Sequence, residues 1–341
     1  MGLSFVQNLR AETGSSQKLA HGAQKSLETV IDMAQRWASL FMLNAPEQAI
    51  STSPGHFPSF CPAATPPIGD WHEMIDALGT AQAAFMLTSY GWVLLLQGLN
   101  AEAEQCLRVA LQAAEETEQT TRWILASMHL SRVYHLWGQY GESEAWFERC
   151  IKRGQEIPEA AWTLTWPLLN HAYYLINLGR LDEADRVLHT LRAQLAQQND
   201  FLAHRYSMQI GFGLLCLARG ELNEAERLLR EALTNQKSLY IEVYVMAEIG
   251  LANIARQKGR YDEAYSRFQR MLSFCGQRSL LQCYCSTSLA LADLSLQTGQ
   301  MAGIMGLLQT VSGLLGRAGY AHMQMRCDKL LAKMAVASRF I

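Results

Sequence analysis

The chain has 341 residues, of which 49% are hydrophobic and 18% charged, and its formal net charge is −2. The charged fraction lies below the roughly 25% of an average soluble domain, and this much apolar surface excludes a disordered chain. A near-neutral balance also argues against a general polyanion binder, so no direct nucleic-acid partner is expected. The first ten residues, Met1 to Arg10, lack the basic lead and apolar core of a secretory signal. No apolar run reaches the ~18 residues of a membrane-spanning helix; the longest, Gly91 to Leu96, is far shorter. The eight cysteines include no C-x-x-C pair, which reads as reduced, packing cysteines in a cytoplasmic protein without a metal or other cofactor.

Residues 16–44 carry the first predicted element. Leu27, Val30, Ile31, Ala34, Trp37, Leu40 and Phe41 recur at i, i+3, i+4 spacing, the mark of an amphipathic capping helix. Six of the eight prolines then fall between Pro46 and Pro67, predicting a long irregular connection. Asp70 and Glu73, three residues apart ahead of an apolar run, have the spacing of a helix-start capping box.

From there the sequence repeats. Gly98, Gly138, Gly179, Gly220, Gly259 and Gly299 lie 40, 41, 41, 39 and 40 residues apart. Each follows an apolar helical pattern and suits a left-handed helix C-terminus. A large apolar residue stands two positions later at Tyr140, Leu181, Leu222, Tyr261 and Met301. Acids follow, as in Asp262-Glu263, where a second helix opens with its positive dipole end. Ala103, Ala184, Ala225 and Ala264 leave room for close helix approach. Leu107, Phe147, Leu188, Leu229, Phe268 and Leu308 mark a large residue at the equivalent place one turn on. A last helix is expected from Tyr320 to about Ser338, with Met323, Cys327, Leu330, Leu331 and Met334 on one face.

These motifs, above all Gly259-x-Tyr-Asp-Glu-Ala-x-x-x-Phe268, resemble the tetratricopeptide repeat. The resemblance covers residues 84 to about 316 and implies an all-α fold, a right-handed superhelical α-solenoid of about six helix–turn–helix repeats with capping helices at both ends. The expected organisation is an N-terminal capping region (1–45), a proline-rich loop (46–69), the repeat array (70–316) and a C-terminal capping helix (317–341). The ~40-residue period resembles the sensor arrays of maltose-activator-type bacterial regulators and of peptide-sensing regulators such as the Rap and Rgg types.

No catalytic motif stands out. Gly211-x-Gly213 lacks the third glycine of a dinucleotide fingerprint, and no Gly-x-Ser-x-Gly or His-Glu-x-x-His occurs. A repeat array binds on the concave face lined by the first helix of each unit. Counting back from the glycines places Trp92, Arg132, His135, Trp166, Tyr173, Asn177, Asn253, Arg256 and Asp293 there, with apolar residues such as Leu169, Ile210, Leu214, Leu217, Met246 and Ile249 between them. Arg256 either pairs with Asp293 or, with Asn253, offers an arginine fork and an amide to a carboxylate. The sequence therefore predicts a non-catalytic binding scaffold for a peptide, a protein partner or a small ligand, in signalling or transcriptional regulation. The alternative is an enzyme or phosphatase-like regulator with its pocket around Arg132, His135 and Tyr173.

Overall fold

The computed structural model of the chain describes residues 59–60, 75, 79–157, 163–196, 202–234 and 239–337. Among them lie thirteen α-helices and no strand. They are α1 (Thr80–Leu96), α2 (Asn100–Glu116), α3 (Thr120–Leu136), α4 (Tyr140–Gln155), α5 (Thr165–Asn177), α6 (Leu181–Ala196), α7 (Leu202–Arg219), α8 (Leu222–Leu233), α9 (Ile241–Gln257), α10 (Tyr261–Gln277), α11 (Leu281–Thr298), α12 (Ile304–Ala318) and α13 (Ala321–Ala337). Six helix pairs, each turning at one of the six spaced glycines, are followed by α13. The 16–44 helix, the Asp70–Glu73 capping box and most of the proline-rich loop lie outside the described residues.

Five of the glycine turns share one hydrogen-bond pattern. At the first, Gly98 N–H donates to the Leu95 carbonyl (3.1 Å) and Leu99 N–H to the Leu94 carbonyl (2.9 Å). This pair of bonds satisfies the carbonyls that a helix end leaves open, and it needs a left-handed residue after the C-cap. Gly98 supplies it with φ 80°. Two turns between repeats use the same device without glycine: Glu118 (φ 54°) and Ser279 (φ 56°) hold the left-handed conformation at the ends of α2 and α10.

The chain divides into two compact units. The first holds α1, α2, α3 as far as Val133, and α4 from Gly141. In it α2 packs on α1, with Ala103 and Leu107 fully buried. The Cys106 thiol donates to the Leu87 carbonyl (3.3 Å) and that of Cys150 to the Ile124 carbonyl (3.4 Å). Burial pushes both thiols up, Cys150 to about 12, so they behave as packing groups. The seven described cysteines are all free thiols.

The second unit holds Tyr134–Tyr140 and α5 to α13. Each first helix packs against its own second helix and against the first helices of its neighbours: α5 on α7, α7 on α9, α9 on α11, and α11 on α13. The capping helix thus continues the row of first helices. Its core runs through Ala184, Leu188, Ala225 and Leu229, all fully buried. Close approach is paid in small residues: a Cβ on Gly213 of α7 would lie 2.7 Å from Leu229 Cδ2 of α8. On the second helices, Glu226 accepts from Arg230 (2.7 Å), Lys258 (2.7 Å) and Arg260 (2.9 Å), linking adjacent repeats. Burial opposes ionisation there, but the hydrogen bonds from Lys258, Arg230 and Arg260 outweigh it and hold the Glu226 carboxyl down at about 2. No helix among the described residues is long and apolar enough to cross a membrane.

Candidate functional site

The second unit carries seven of the nine residues picked from the repeat spacing, six on the row of first helices from α5 to α11 and His135 at the end of α3. Near the beginning of that row, Trp166 in the first turn of α5 stands edge-on to Tyr240 (centroids 4.3 Å, planes 83°) and to His204 (5.5 Å, 74°). Trp166 is half-buried and packs against the core on both sides of α7. Burial lowers the pKa of His204, so the neutral ring is favoured in this cluster. Neither His204 nor Tyr240 was picked from the sequence, because they lie 16 and 19 residues ahead of their glycines, further back than the picked residues.

Tyr173 is 6% exposed, and its hydroxyl donates to the Ser207 carbonyl of α7 at 3.0 Å. Burial, reinforced by the charge of Glu242, pushes the phenol up and keeps it protonated. It is the next residue, Tyr174, that meets His135: the two rings stack at 4.1 Å with planes 13° apart. Tyr140 adds a tilted ring at 5.3 Å from His135. Asn177 ends α5 in an exposed position. Of the apolar residues expected between these side chains, Leu214, Leu217, Met246 and Ile249 are half-buried, whereas Leu169 and Ile210 are fully buried in the core.

The polar stretch on α9, α11 and α13 is arranged differently from the simplest expectation. Asp293 pairs with Arg326 of the capping helix and not with Arg256. The register explains this. Arg256 lies three residues before its glycine and Asp293 six before its own, so Arg256 falls about a turn beyond Asp293 and meets Gln297, four residues further along α11. Arg256 Nη1 donates to Gln297 Oε1 (3.3 Å), and Gln297 Nε2 donates to the Tyr261 hydroxyl (3.1 Å). The Nε of Arg256 is buried with no hydrogen-bond partner, and no acid among the described residues pairs with this guanidinium. Asn253, one turn earlier on α9, donates to the Ile249 carbonyl (3.1 Å) and keeps its side-chain carbonyl in reserve. Tyr261 is 39% exposed beside them. Asn253, Arg256, Gln297 and Tyr261 therefore form one cluster of donors and acceptors around a guanidinium that no acid among the described residues pairs with. Such a cluster can hydrogen-bond a carboxylate or the main chain of an extended peptide.

In the first unit, Trp92 stacks on His129 (6.3 Å, 23°), and Arg132 lies one turn further along α3 at 7% exposure. Burial first, and the Arg132 charge second, hold His129 down at about 3, so its ring is neutral. His129 was missed because it occupies no repeated position relative to the glycine.

Three segments match family models described as tetratricopeptide repeat, at residues 126–153, 165–190 and 249–280. Each spans a helix–turn–helix across one of the spaced glycines. No curated protein matches the sequence. Among solved structures, the chain is similar to one described as the crystal structure of a Rap protein complexed with competence and sporulation factor. The TM-score is 0.55 at 13% identity, over 98% of this chain and 93% of that one. The likeness concerns the fold, which is that of a TPR-like all-α helical repeat.

Proposed function

We propose that this TPR-like repeat protein is a binding scaffold whose row of first helices receives an extended peptide or a segment of a protein partner, in a signalling or transcriptional-regulatory role. The carrying observation is Arg256: a guanidinium on the row of first helices, with a buried Nε that has no hydrogen-bond partner and, among the described residues, no acid paired to it. A buried donor left unsatisfied is costly, and an anionic or main-chain acceptor on a ligand relieves that cost. Asn253 and Gln297 supply the neutral partners that fix an acceptor's orientation. The similar Rap structure is described as a complex with a factor, which supports the same mode of use for this fold. The kinship to regulator sensor arrays of the maltose-activator type belongs to this proposal, as does a cytoplasmic location.

The test uses an array of unrelated acidic decapeptides, each made with a free C-terminal carboxylate and as the amide. Fluorescence anisotropy against the wild-type protein selects binders, which are then titrated into Arg256→Ala and Arg256→Lys. Loss of a charge-assisted bidentate contact should weaken binding about tenfold or more in R256A, with partial recovery in R256K. Unchanged affinity in R256A, at unchanged thermal stability, overturns the assignment of this site.

A further inference from the structure

Two residues of the proline-rich stretch, Ser59 and Phe60, are seated in the second unit at the junction of α10 and α11. The seat has a recognisable construction. Gly276 is buried in the last turn of α10, and a Cβ at that position would lie 2.7 Å from the Ser59 carbonyl oxygen. Real Cβ atoms do not approach oxygen that closely, so a side chain at 276 and the Ser59 main chain exclude each other. Tyr284, in the first turn of α11, is 1% exposed and presents its ring to Phe60 at 5.2 Å, with the planes 52° apart. The α10–α11 turn holds the two halves of the seat together. Ser279 takes the left-handed conformation there, and Leu280 N–H closes on the Cys275 carbonyl at 3.0 Å.

The seated segment is suited to the seat by its own chemistry. In the sequence, Ser59 and Phe60 are preceded by Pro58 and followed by Cys61 and Pro62. Proline fixes its own φ and biases the preceding residue toward extended backbone, so both flanks restrict the free segment in advance. Less conformational entropy is then lost on docking. The contact is a carbonyl against a bare helix backbone and a ring against a ring, and no charge is involved.

We propose that the α10–α11 junction is a docking seat for an extended segment carrying an aromatic side chain, and that its occupant is this chain's own Ser59–Phe60. The seat accepts a small residue followed by an aromatic one. Held in cis, Ser59–Phe60 bridges the second helix of the fifth repeat and the first helix of the sixth. It shares no residue with the Arg256 cluster, so the two assignments stand or fall separately.

The test supplies the occupant in trans. A fluorescein-labelled peptide of residues 54–66 of this chain is titrated, under reducing conditions, into the wild type, Phe60→Ala and the double variant Phe60→Ala/Gly276→Ala. The emptied seat of F60A should bind the peptide saturably. The wild type should bind about tenfold more weakly or worse, because a tethered occupant competes at millimolar effective concentration. The double variant should also lose about tenfold or more, because the new Cβ collides with the peptide carbonyl. Alanine is a better helix former than glycine, so G276A does not act by unwinding α10, and circular dichroism of the three proteins checks this. Equal binding by wild type and F60A, no saturable binding by F60A, or undiminished binding by the double variant overturns the proposal.

Discussion

The hydroxyl of Tyr173 donates to the main-chain carbonyl of Ser207 at 3.0 Å, bridging the adjacent first helices α5 and α7 inside the core. The residue is therefore a strut between repeats. Tyr173→Phe should lower stability by about 0.5–1.5 kcal/mol, the usual net worth of a hydrogen bond. Urea denaturation measures this. Peptide affinity of the folded variant should be unchanged; a loss of affinity larger than the loss of stability would return Tyr173 to the ligand surface.

Ala225 is fully buried where α8 meets α7 and α9, in the same core cluster as Leu229 and Ile210. Ala225→Leu adds three carbons to a fully buried site, and overpacking of this kind costs about 1–3 kcal/mol. Thermal unfolding with full wild-type stability would contradict the helix spacing described for this repeat.

Two groups give the acid limb of stability opposite chemistry but the same sign. His129 has a folded pKa of about 3, depressed by burial and then by Arg132. Its unfolded value is about 6.5. The unfolded chain thus takes up a proton that the folded one refuses, and stability falls as pH drops from about 6.5 toward 3. His204 is shifted in the same direction and adds to this limb. Glu226 has a folded pKa of about 2 against an ordinary 4.5, so its contribution is present above 4.5 and is lost as pH falls through 2. In unfolding midpoints measured across pH, His129→Leu should flatten the slope between pH ~6.5 and ~4.5. Glu226→Gln should flatten it only below about 4.5. A slope unchanged in both variants would dissociate these groups from acid sensitivity.

Glu118 is exposed and holds φ 54° at the end of α2. A left-handed conformation costs an ordinary residue roughly 1–2 kcal/mol, and glycine avoids most of it while losing more entropy on folding. Glu118→Gly should therefore stabilise the protein, by about 0.5–1 kcal/mol net. Calorimetry checks the sign, and a lowered midpoint would contradict it.

The repeat was legible because its determinants are local. A glycine at a helix end is demanded by one backbone conformation, and alanine followed by a large residue four positions on is demanded by one helix contact. The glycine recurs at all six turns and the alanine at four of them, so spacing alone marks α1 to α12 in pairs, and apolar periodicity marks α13. The turns at Glu118 and Ser279 escaped notice because neither residue carries the glycine signal for a left-handed conformation.

The candidate site was less legible, since counting back from a glycine gives the helix a residue sits on but not the depth or the partner of its side chain. Tyr173 and Tyr174 are adjacent in sequence, yet one is a buried strut and the other a stacking partner of His135. That difference is set by how α5 leans on α7. Arg256 and Asp293 lie on neighbouring helices, but a one-turn offset in register gives Asp293 to Arg326 and leaves Arg256 with Gln297. Likewise nothing in the proline-rich stretch announced that Phe60 meets Tyr284, because that contact joins residues far apart in the chain. By itself, then, the amino-acid order determined the helices, their pairing and the glycine turns, all of which depend on neighbours within about forty residues. Only the tertiary structure decided which polar groups pair with one another, because that depends on inter-helix register and long-range packing.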